Sequence, residues 1–279
     1  MRKKKGTKIV KKYLTTGIIA IWLFSAGSVW AGNLVIKGST TVLPIAQKVV
    51  EAFMKENPDV KISLSGGGSG DGIKAIIDGT TDIANSSRFI KDSEVSLAIE
   101  RKTYPVPFAV AYDCIIPVVH SSNTVQNLTL AQLKDIYLGK IRNWKDLGGP
   151  NLPIVAISRD TSSGTYEVWE NLVMKKERVF PAALLQASNG AIVQAVSKNK
   201  NAIGYVGIGY LDASIKAVAV NGIEGSAKTT LDGTLPISRP LFMFTRGWPE
   251  KDAASFINYV LNPEKGQLLV KEAGFVPLY

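Results

Sequence analysis

Residues 154–169, IVAISRDTSSGTYEVW, decide the fold of this chain. The apolar and mostly β-branched residues 154–157 predict a buried strand. A loop rich in Ser, Gly and Thr follows at residues 159–164, and a helix is predicted from Thr165. A strand that leads through a short polar loop directly into a helix is the repeating unit of α/β proteins, in which the sheet is mainly parallel.

The same alternation extends from Gly32 to the C-terminus. No fixed-period repeat and no low-complexity linker divides it, so we expect two lobes joined by strands rather than two independent domains. Strands are predicted at residues 34–36, 60–64, 82–84, 106–111, 115–119, 203–206, 218–220 and 241–244. Helices are predicted at residues 42–53, from Ile73, from Thr129, around 192–196, at 253–261 and at 264–273.

The N-terminus accounts for most of the net charge of +10. Seven of the 33 basic residues lie within residues 2–12, and an apolar segment at 14–24 leads to the small residue Ala31. This pattern predicts a cleaved secretory signal peptide at residues 1–31. A membrane anchor is the alternative, but the apolar run falls short of the roughly 20 residues that a span needs. We therefore expect a periplasmic mature chain with a charge of about +3, which does not indicate nucleic-acid binding.

The remaining composition excludes several classes of function. One Cys and one His leave no disulfide framework within the chain and no Cys/His zinc cluster, so no metal or cofactor is expected. The phosphate-binding loop of nucleotide hydrolases, the dinucleotide fingerprint and the nucleophile elbow are all missing from the sequence. The dispersed Trp144, Trp169 and Trp248 are expected to pack in the core or at a hinge.

Three predicted strand-to-helix junctions share one composition of Gly, Ser and Thr. They lie at residues 38–41, 68–72 and 161–165. A helix N-terminus presents unpaired N–H groups and a partial positive charge, so such junctions can surround an oxyanion. Ordinary helix capping is the alternative for any single junction. Arg159 and Arg88 supply full positive charges beside the loops, and the other donors are neutral, which suits a dehydrated and enclosed anion.

Together these junctions resemble those of the periplasmic phosphate-binding proteins of phosphate ABC transporters. The resemblance covers residues 32–279 and includes the motifs at 82–88 and 136–144. It implies a two-lobed type II periplasmic binding protein with helices on both faces of its sheets and two crossover hinge segments. The first lobe would comprise residues 32–112 and 239–279, and the second residues 113–238. The protein would be a monomeric receptor that passes inorganic phosphate to an inner-membrane permease, and would not be an enzyme.

The resemblance also implies the residues that would bind phosphate. Some members of the family have an aspartate at the position of Ser87, where it accepts the proton of the ligand and repels sulfate. This chain departs there, and Asp113 is the expected substitute, with a hinge-capping role as its alternative. Asp71 is a second, weaker candidate for the acceptor. The full expected set is Ser39, Thr40, Thr41, Ser69, Ser87, Arg88, Asp113, Arg159, Ser163, Gly164 and Thr165.

Three alternative functions remain open from the sequence. The first is a receptor for another tetrahedral oxyanion, such as sulfate, molybdate or tungstate. The second is a secreted hydrolase with Ser39 or Ser163 as its nucleophile, although no base accompanies either serine. The third is a signalling or adhesive surface module that binds no small anion.

Overall fold

The computed structural model describes Met1 and residues 33–279, so the predicted signal peptide lies outside the described residues except for Met1. The strands are β1 (Asn33–Ser39), β2 (Lys61–Gly67), β3 (Ile83–Ser86), β4 (Pro105–His120), β5 (Asn127–Leu128), β6 (Val155–Arg159), β7 (Leu184–Gln186), β8 (Ala202–Gly207), β9 (Ile215–Ala217), β10 (Ala219–Val220) and β11 (Ser238–Arg246). The α-helices are α1 (Leu43–Glu56), α2 (Ser69–Ile77), α3 (Asp92–Glu100), α4 (Leu130–Tyr137), α5 (Gly164–Leu172), α6 (Asn189–Ser197), α7 (Ala227–Leu231), α8 (Lys251–Leu261) and α9 (Gly266–Glu272). No helix within the described residues is long and apolar enough to span a membrane.

The main sheet runs in the order β2-β1-β3-β11-β4-β8-β6-β7, with β9 also paired to β4, and β5 and β10 form a separate two-stranded sheet. The strands next to β1 and β6 are parallel to them, as strand-helix-strand connections require. The antiparallel pairs all involve β4 or β11. The α/β class is confirmed, and the antiparallel pairs lie where the chain crosses between the two ends of the sheet.

Strand β4 is one continuous strand of 16 residues, and the prediction of two separate strands at 106–111 and 115–119 is wrong. The segment between them stays extended because Tyr112 forms backbone hydrogen bonds with Val276, and Asp113 lies opposite Arg239 of β11. The first half of β4 pairs with β11, and the second half pairs with β8 and β9. Strands β4 and β11 are therefore the two crossover segments.

The buried apolar side chains divide at these crossovers. One core contains only residues between Cys114 and Ile237. The other two clusters contain only residues from 34–111 and 241–275. Two separate cores connected by a pair of strands constitute a two-lobed protein.

Two local predictions need correction. Helix α2 begins at Ser69, inside the segment predicted to be a glycine-rich loop, because the Asp71 carboxylate accepts from the Gly68 N–H at 2.9 Å and caps the helix. Trp144 and Trp169 are buried as expected, whereas Trp248 is 77% exposed and contacts the ring of Phe108.

Candidate functional site

The first junction, between β1 and α1, is a buried run of hydroxyl groups at Ser39, Thr40 and Thr41. Gly38 precedes it with a φ of +132°, and a Cβ there would overlap the Asn85 carbonyl of β3, so only glycine fits. The Ser39 Oγ accepts from the Thr41 N–H at 3.1 Å. That local bond stabilises the turn that leads from β1 into α1.

The second junction leads from β2 into α2, and its hydroxyl group contacts the end of β3. The Ser69 Oγ accepts from the Ser87 N–H at 2.9 Å and lies 3.3 Å from the Ser87 Oγ. Both side chains are fully buried. Two sequence-predicted residues that are 18 positions apart therefore form one hydroxyl pair.

The third junction, between β6 and α5, is fixed by aromatic packing behind it. Trp169 of α5 stacks on Tyr205 of β8 with ring centroids 4.2 Å apart. The Tyr205 hydroxyl accepts from the Arg159 N–H at 3.2 Å and bonds the Ser158 Oγ at 2.8 Å. Ser163 caps α5 by accepting from the Tyr166 N–H at 3.2 Å. The start of α5 is thereby held at a fixed distance from the end of β6.

The structure brings the three predicted junctions together across the two lobes. The Thr41 and Thr165 hydroxyls lie 2.9 Å apart. The Gly70 N–H donates to the Ser162 carbonyl at 2.9 Å. A Cβ on Gly164 would lie within 3.0 Å of both the Ser69 and Ser87 hydroxyls, so Gly164 allows this close approach. The lobes are therefore closed on one another at the point where the hydroxyls meet.

Arg239 belongs to this cluster, and the sequence analysis missed it. Its Nε and Nη2 donate to the Asp113 Oδ2 at 2.9 and 2.8 Å, and its Nη2 also donates to the Thr165 Oγ1 at 2.9 Å. Burial raises the pKa of Asp113, and the guanidinium of Arg239 opposes that effect. The signal in the sequence was an arginine directly before the apolar strand run 240–244, which is an unusual place for an unpaired charge.

Asn189, at the start of α6, is a second residue that the sequence analysis missed. Its Nδ2 donates to the Thr40 Oγ1 at 3.2 Å and to the Thr41 Oγ1 at 3.1 Å, and it is fully buried. Ser188 caps the helix by accepting from the Ala191 N–H at 3.0 Å. The Ser-Asn-Gly sequence at 188–190 was the available signal, because it marks a fourth helix start of similar composition.

Arg159 carries a buried positive charge that the protein compensates poorly. Its side chain is 1% exposed, and its Nε and Nη2 donate to the Gln186 and Ala187 carbonyls at 3.0 and 2.9 Å. Its Nη1 has no hydrogen-bond partner among the described residues. The Asp160 carboxylate is 3.9 Å away and one third exposed. Burial lowers the pKa of Arg159 because it disfavours the charged form, and the nearby Asp160 carboxylate opposes this effect.

Arg88 takes a different position from the one expected of an anion ligand. Its Nη1 and Nη2 donate to the two Glu94 carboxylate oxygens at 2.8 and 2.6 Å, and its Nε lies 2.8 Å from a Glu167 oxygen. Lys91 is also 2.8 Å from Glu167. Two carboxylates already neutralise this guanidinium, so it links the lobes beside the cluster instead of contributing free charge to it.

The comparisons with known proteins agree with this architecture. The profile of the PBP superfamily domain matches residues 25–264. A candidate phosphate ABC transporter substrate-binding protein from Clostridium perfringens, solved with bound phosphate, shares 35% identity with a TM-score of 0.83, over 89% of this chain and 100% of that one. An ABC-type phosphate transport receptor from Vibrio cholerae shares 30% identity with a TM-score of 0.71, over 87% of this chain and 99% of that one. The chain belongs to the PBP superfamily of two-lobed binding proteins.

Curated relatives define the family within that superfamily. The phosphate-binding protein PstS of Staphylococcus epidermidis is 37% identical over 254 residues, which are 86% of this chain and 77% of the relative. The chain belongs to the family of the PstS proteins, which are substrate-binding proteins and not enzymes. The Ser39 and Ser163 hydroxyls each accept from a backbone N–H of their own turn.

Proposed function

We propose that this protein is the receptor of a phosphate ABC transporter: it captures inorganic phosphate between its two lobes and delivers it to a membrane permease. Support comes from the PstS relatives and from the hydroxyl groups that both lobes contribute to one enclosed cluster. Binding would need no covalent chemistry, because the anion contacts both lobes only in the closed form and this differential affinity drives closure.

The buried charge of Arg159 is the main structural evidence for an anion-binding site. The Arg159 guanidinium is 1% exposed, and one of its nitrogens has no hydrogen-bond partner among the described residues. Burying such a charge costs free energy unless an anion accepts hydrogen bonds from it. Hydrogen bonds to charged groups contribute about 1.5–3 kcal/mol each. A tetrahedral oxyanion beside Arg159 would offer two oxygens to the guanidinium and leave the others for the neutral hydroxyls of the junctions.

We place the lobe boundaries at the crossovers, with residues 32–112 and 239–279 in the first lobe and 113–238 in the second. The separation of the hydrophobic cores at Cys114 and Ile237 supports this division. We also propose that residues 1–31 are removed during export and that the mature receptor acts as a periplasmic monomer. The intact mass of exported protein tests the cleavage site, and a mass that includes residues 1–31 would contradict it.

Calorimetric titration of the mature chain tests the function. We expect phosphate to bind and sulfate, molybdate and tungstate to bind more weakly or not at all. Heat from one of the other anions without heat from phosphate would support a receptor for that oxyanion instead. A chain that binds none of the four would exclude an oxyanion receptor and favour the surface module.

Glu167 should stabilise the closed form without touching the ligand. It lies on α5 of the second lobe, and its partners Arg88 and Lys91 lie on the first. We expect Glu167→Gln to raise the phosphate Kd about fivefold to tenfold, because partly buried ion pairs exceed the roughly 1 kcal/mol limit of exposed ones. Most of the change should appear as faster phosphate release in stopped-flow measurements.

The matched control is Glu170→Gln, one turn further along α5. Glu170 accepts from the Tyr166 hydroxyl at 3.0 Å within the second lobe, so its loss should leave the phosphate Kd unchanged. Equal effects of the two substitutions would rule out an interlobe role for Glu167.

A further inference from the structure

The two crossover strands meet at a buried ion pair. Arg239 of β11 lies directly opposite Asp113 of β4 in the antiparallel register. The side chains are 4% and 0% exposed, and the Arg239 Nη2 lies 2.8 Å from the Asp113 Oδ2. The pair therefore joins both segments about which the lobes would move, and it does so at the edge of the hydroxyl cluster.

The Asp113 carboxylate is fully buried and is held by hydrogen bonds from the protein itself. Its Oδ2 accepts twice from Arg239, and its Oδ1 accepts from the Ile208 N–H at 2.9 Å. An ionised carboxylate offers about four lone-pair sites. Three of these sites are occupied by protein donors, so the expected role of Asp113, acceptance of the ligand's proton, fits this geometry poorly.

Arg239 extends from Asp113 to both lobes. Its Nη1 donates to the Ser87 carbonyl at 3.1 Å in the first lobe. Its Nη2 donates to the Thr165 Oγ1 at 2.9 Å in the second lobe and is 3.5 Å from the Thr41 Oγ1. Four of its five N–H groups donate hydrogen bonds to protein acceptors. Arg239 therefore affects a ligand mainly by orienting the residues to which it is hydrogen-bonded.

Those contacts determine which way the two threonine hydroxyls point. Arginine and the amide nitrogen of asparagine can only donate, so Thr165 accepts from Arg239 and Thr41 accepts from Asn189. The hydroxyls are 2.9 Å apart, and one of them can donate to the other. The second hydroxyl hydrogen has no acceptor among these residues, so it is available to a ligand.

We propose that Asp113 and Arg239 form a positioning pair, which orients the hydrogen-bonded Thr41 and Thr165 hydroxyls of opposite lobes so that one of them donates to the bound anion. This inference rests on the proposed function, since it assigns the pair a role at the same site. Asp113 fixes the guanidinium, the guanidinium fixes the hydroxyls, and neither charged group needs to contact the ligand. Selectivity against sulfate consequently does not come from Asp113.

The first experiment compares Asp113→Asn with the wild-type chain in phosphate titrations and in competition with sulfate. The positioning role predicts a phosphate Kd raised about tenfold or more, with sulfate competing no better than in the wild type. If Asp113 instead accepts the phosphate proton, sulfate will begin to compete in the variant, and the proposal is overturned. Arg239→Lys should restore part of the affinity lost in Arg239→Gln, since it keeps the charge beside Asp113.

The second experiment is a double-mutant cycle between Arg239→Gln and Thr165→Val. We expect Thr165→Val to raise the phosphate Kd about tenfold in the wild-type background and less than twofold in the Arg239→Gln background, because the hydroxyl is no longer oriented there. Additive effects would overturn the proposal. Thermal melting without phosphate separates the positioning role from a role in stability alone. A stability role would lower Tm in the variants but would leave the effects of Arg239→Gln and Thr165→Val on the phosphate Kd additive.

The titration of the wild-type chain distinguishes a failure of the positioning role from a failure of the proposed function. If phosphate binds the wild type and the cycle is additive, the positioning role is wrong and the proposed function stands. If another tetrahedral oxyanion binds in place of phosphate, the same cycle is measured with that anion and decides the positioning role independently. A wild type that binds no oxyanion overturns both.

Discussion

Arg159→Ala is expected to raise the phosphate Kd by more than tenfold. The substitution removes the buried guanidinium whose Nη1 has no partner among the described residues. Two charge-assisted hydrogen bonds at about 1.5–3 kcal/mol each would account for a loss of that size, because about 1.4 kcal/mol corresponds to one factor of ten. Isothermal titration of the mature protein measures the effect directly.

Arg178→Ala is the matched control for this prediction. Arg178 borders the same surface cavity as Arg159, but it is exposed. Its removal changes the net charge by the same amount, and we expect a Kd within twofold of the wild type. A near-native phosphate Kd in Arg159→Ala would show that Arg159 is not part of the binding site. Equal losses of phosphate affinity in both variants would show that Arg159 acts only through long-range electrostatic attraction.

Gly68→Ala should prevent the lobes from closing. A Cβ on Gly68, in the first lobe, would lie well inside 3.0 Å of the Ser162 Oγ and carbonyl oxygen in the second. The Ser162 carbonyl oxygen belongs to the backbone and also accepts from the Gly70 N–H at 2.9 Å, so it has little freedom to move. We expect the phosphate Kd to rise by more than tenfold, and small-angle scattering to show no contraction when phosphate is added.

Gly190→Ala provides a control with the same chemical change. The nearest atom to a Cβ at Gly190 is the Ser188 Oγ at 4.0 Å, so the methyl group has room. Phosphate binding and the ligand-induced contraction should both persist in this variant. Full closure of Gly68→Ala with native affinity would show that the contact between Gly68 and Ser162 is dispensable.

Local chemistry explains the predictions that the structure confirmed. The α/β class follows from strand-like and helix-like spacing within short windows, and β6 at Val155–Arg159 and α5 at Gly164–Leu172 form close to where residues 154–169 indicate them. The helix starts at Ser163 and Thr129 are capped by their own side chains. Each of these features depends on residues only a few positions apart, and the sequence displays them directly.

The errors occurred where partners lie far apart in the chain. Tyr112 and Asp113 separate two apolar runs, and nothing local shows that Val276 and Arg239 keep them extended in one strand. The ion pair between Arg88 and Glu167 is equally invisible to local patterns, because the two residues are 79 positions apart. A sequence pattern cannot distinguish a charge that is free for a ligand from one that a distant carboxylate neutralises.

By itself, the sequence determined the alternation of strands and helices, the three hydroxyl-rich helix starts and the presence of Arg159 beside one of them. Only the tertiary structure decided that Arg239 joins Asp113 across 126 positions and that Asn189 reaches Thr41 across 148. The physical reason is the range of the interactions. Capping and periodicity act over one or two turns, whereas the polarity of a buried hydroxyl depends on every donor that folding brings within hydrogen-bond distance.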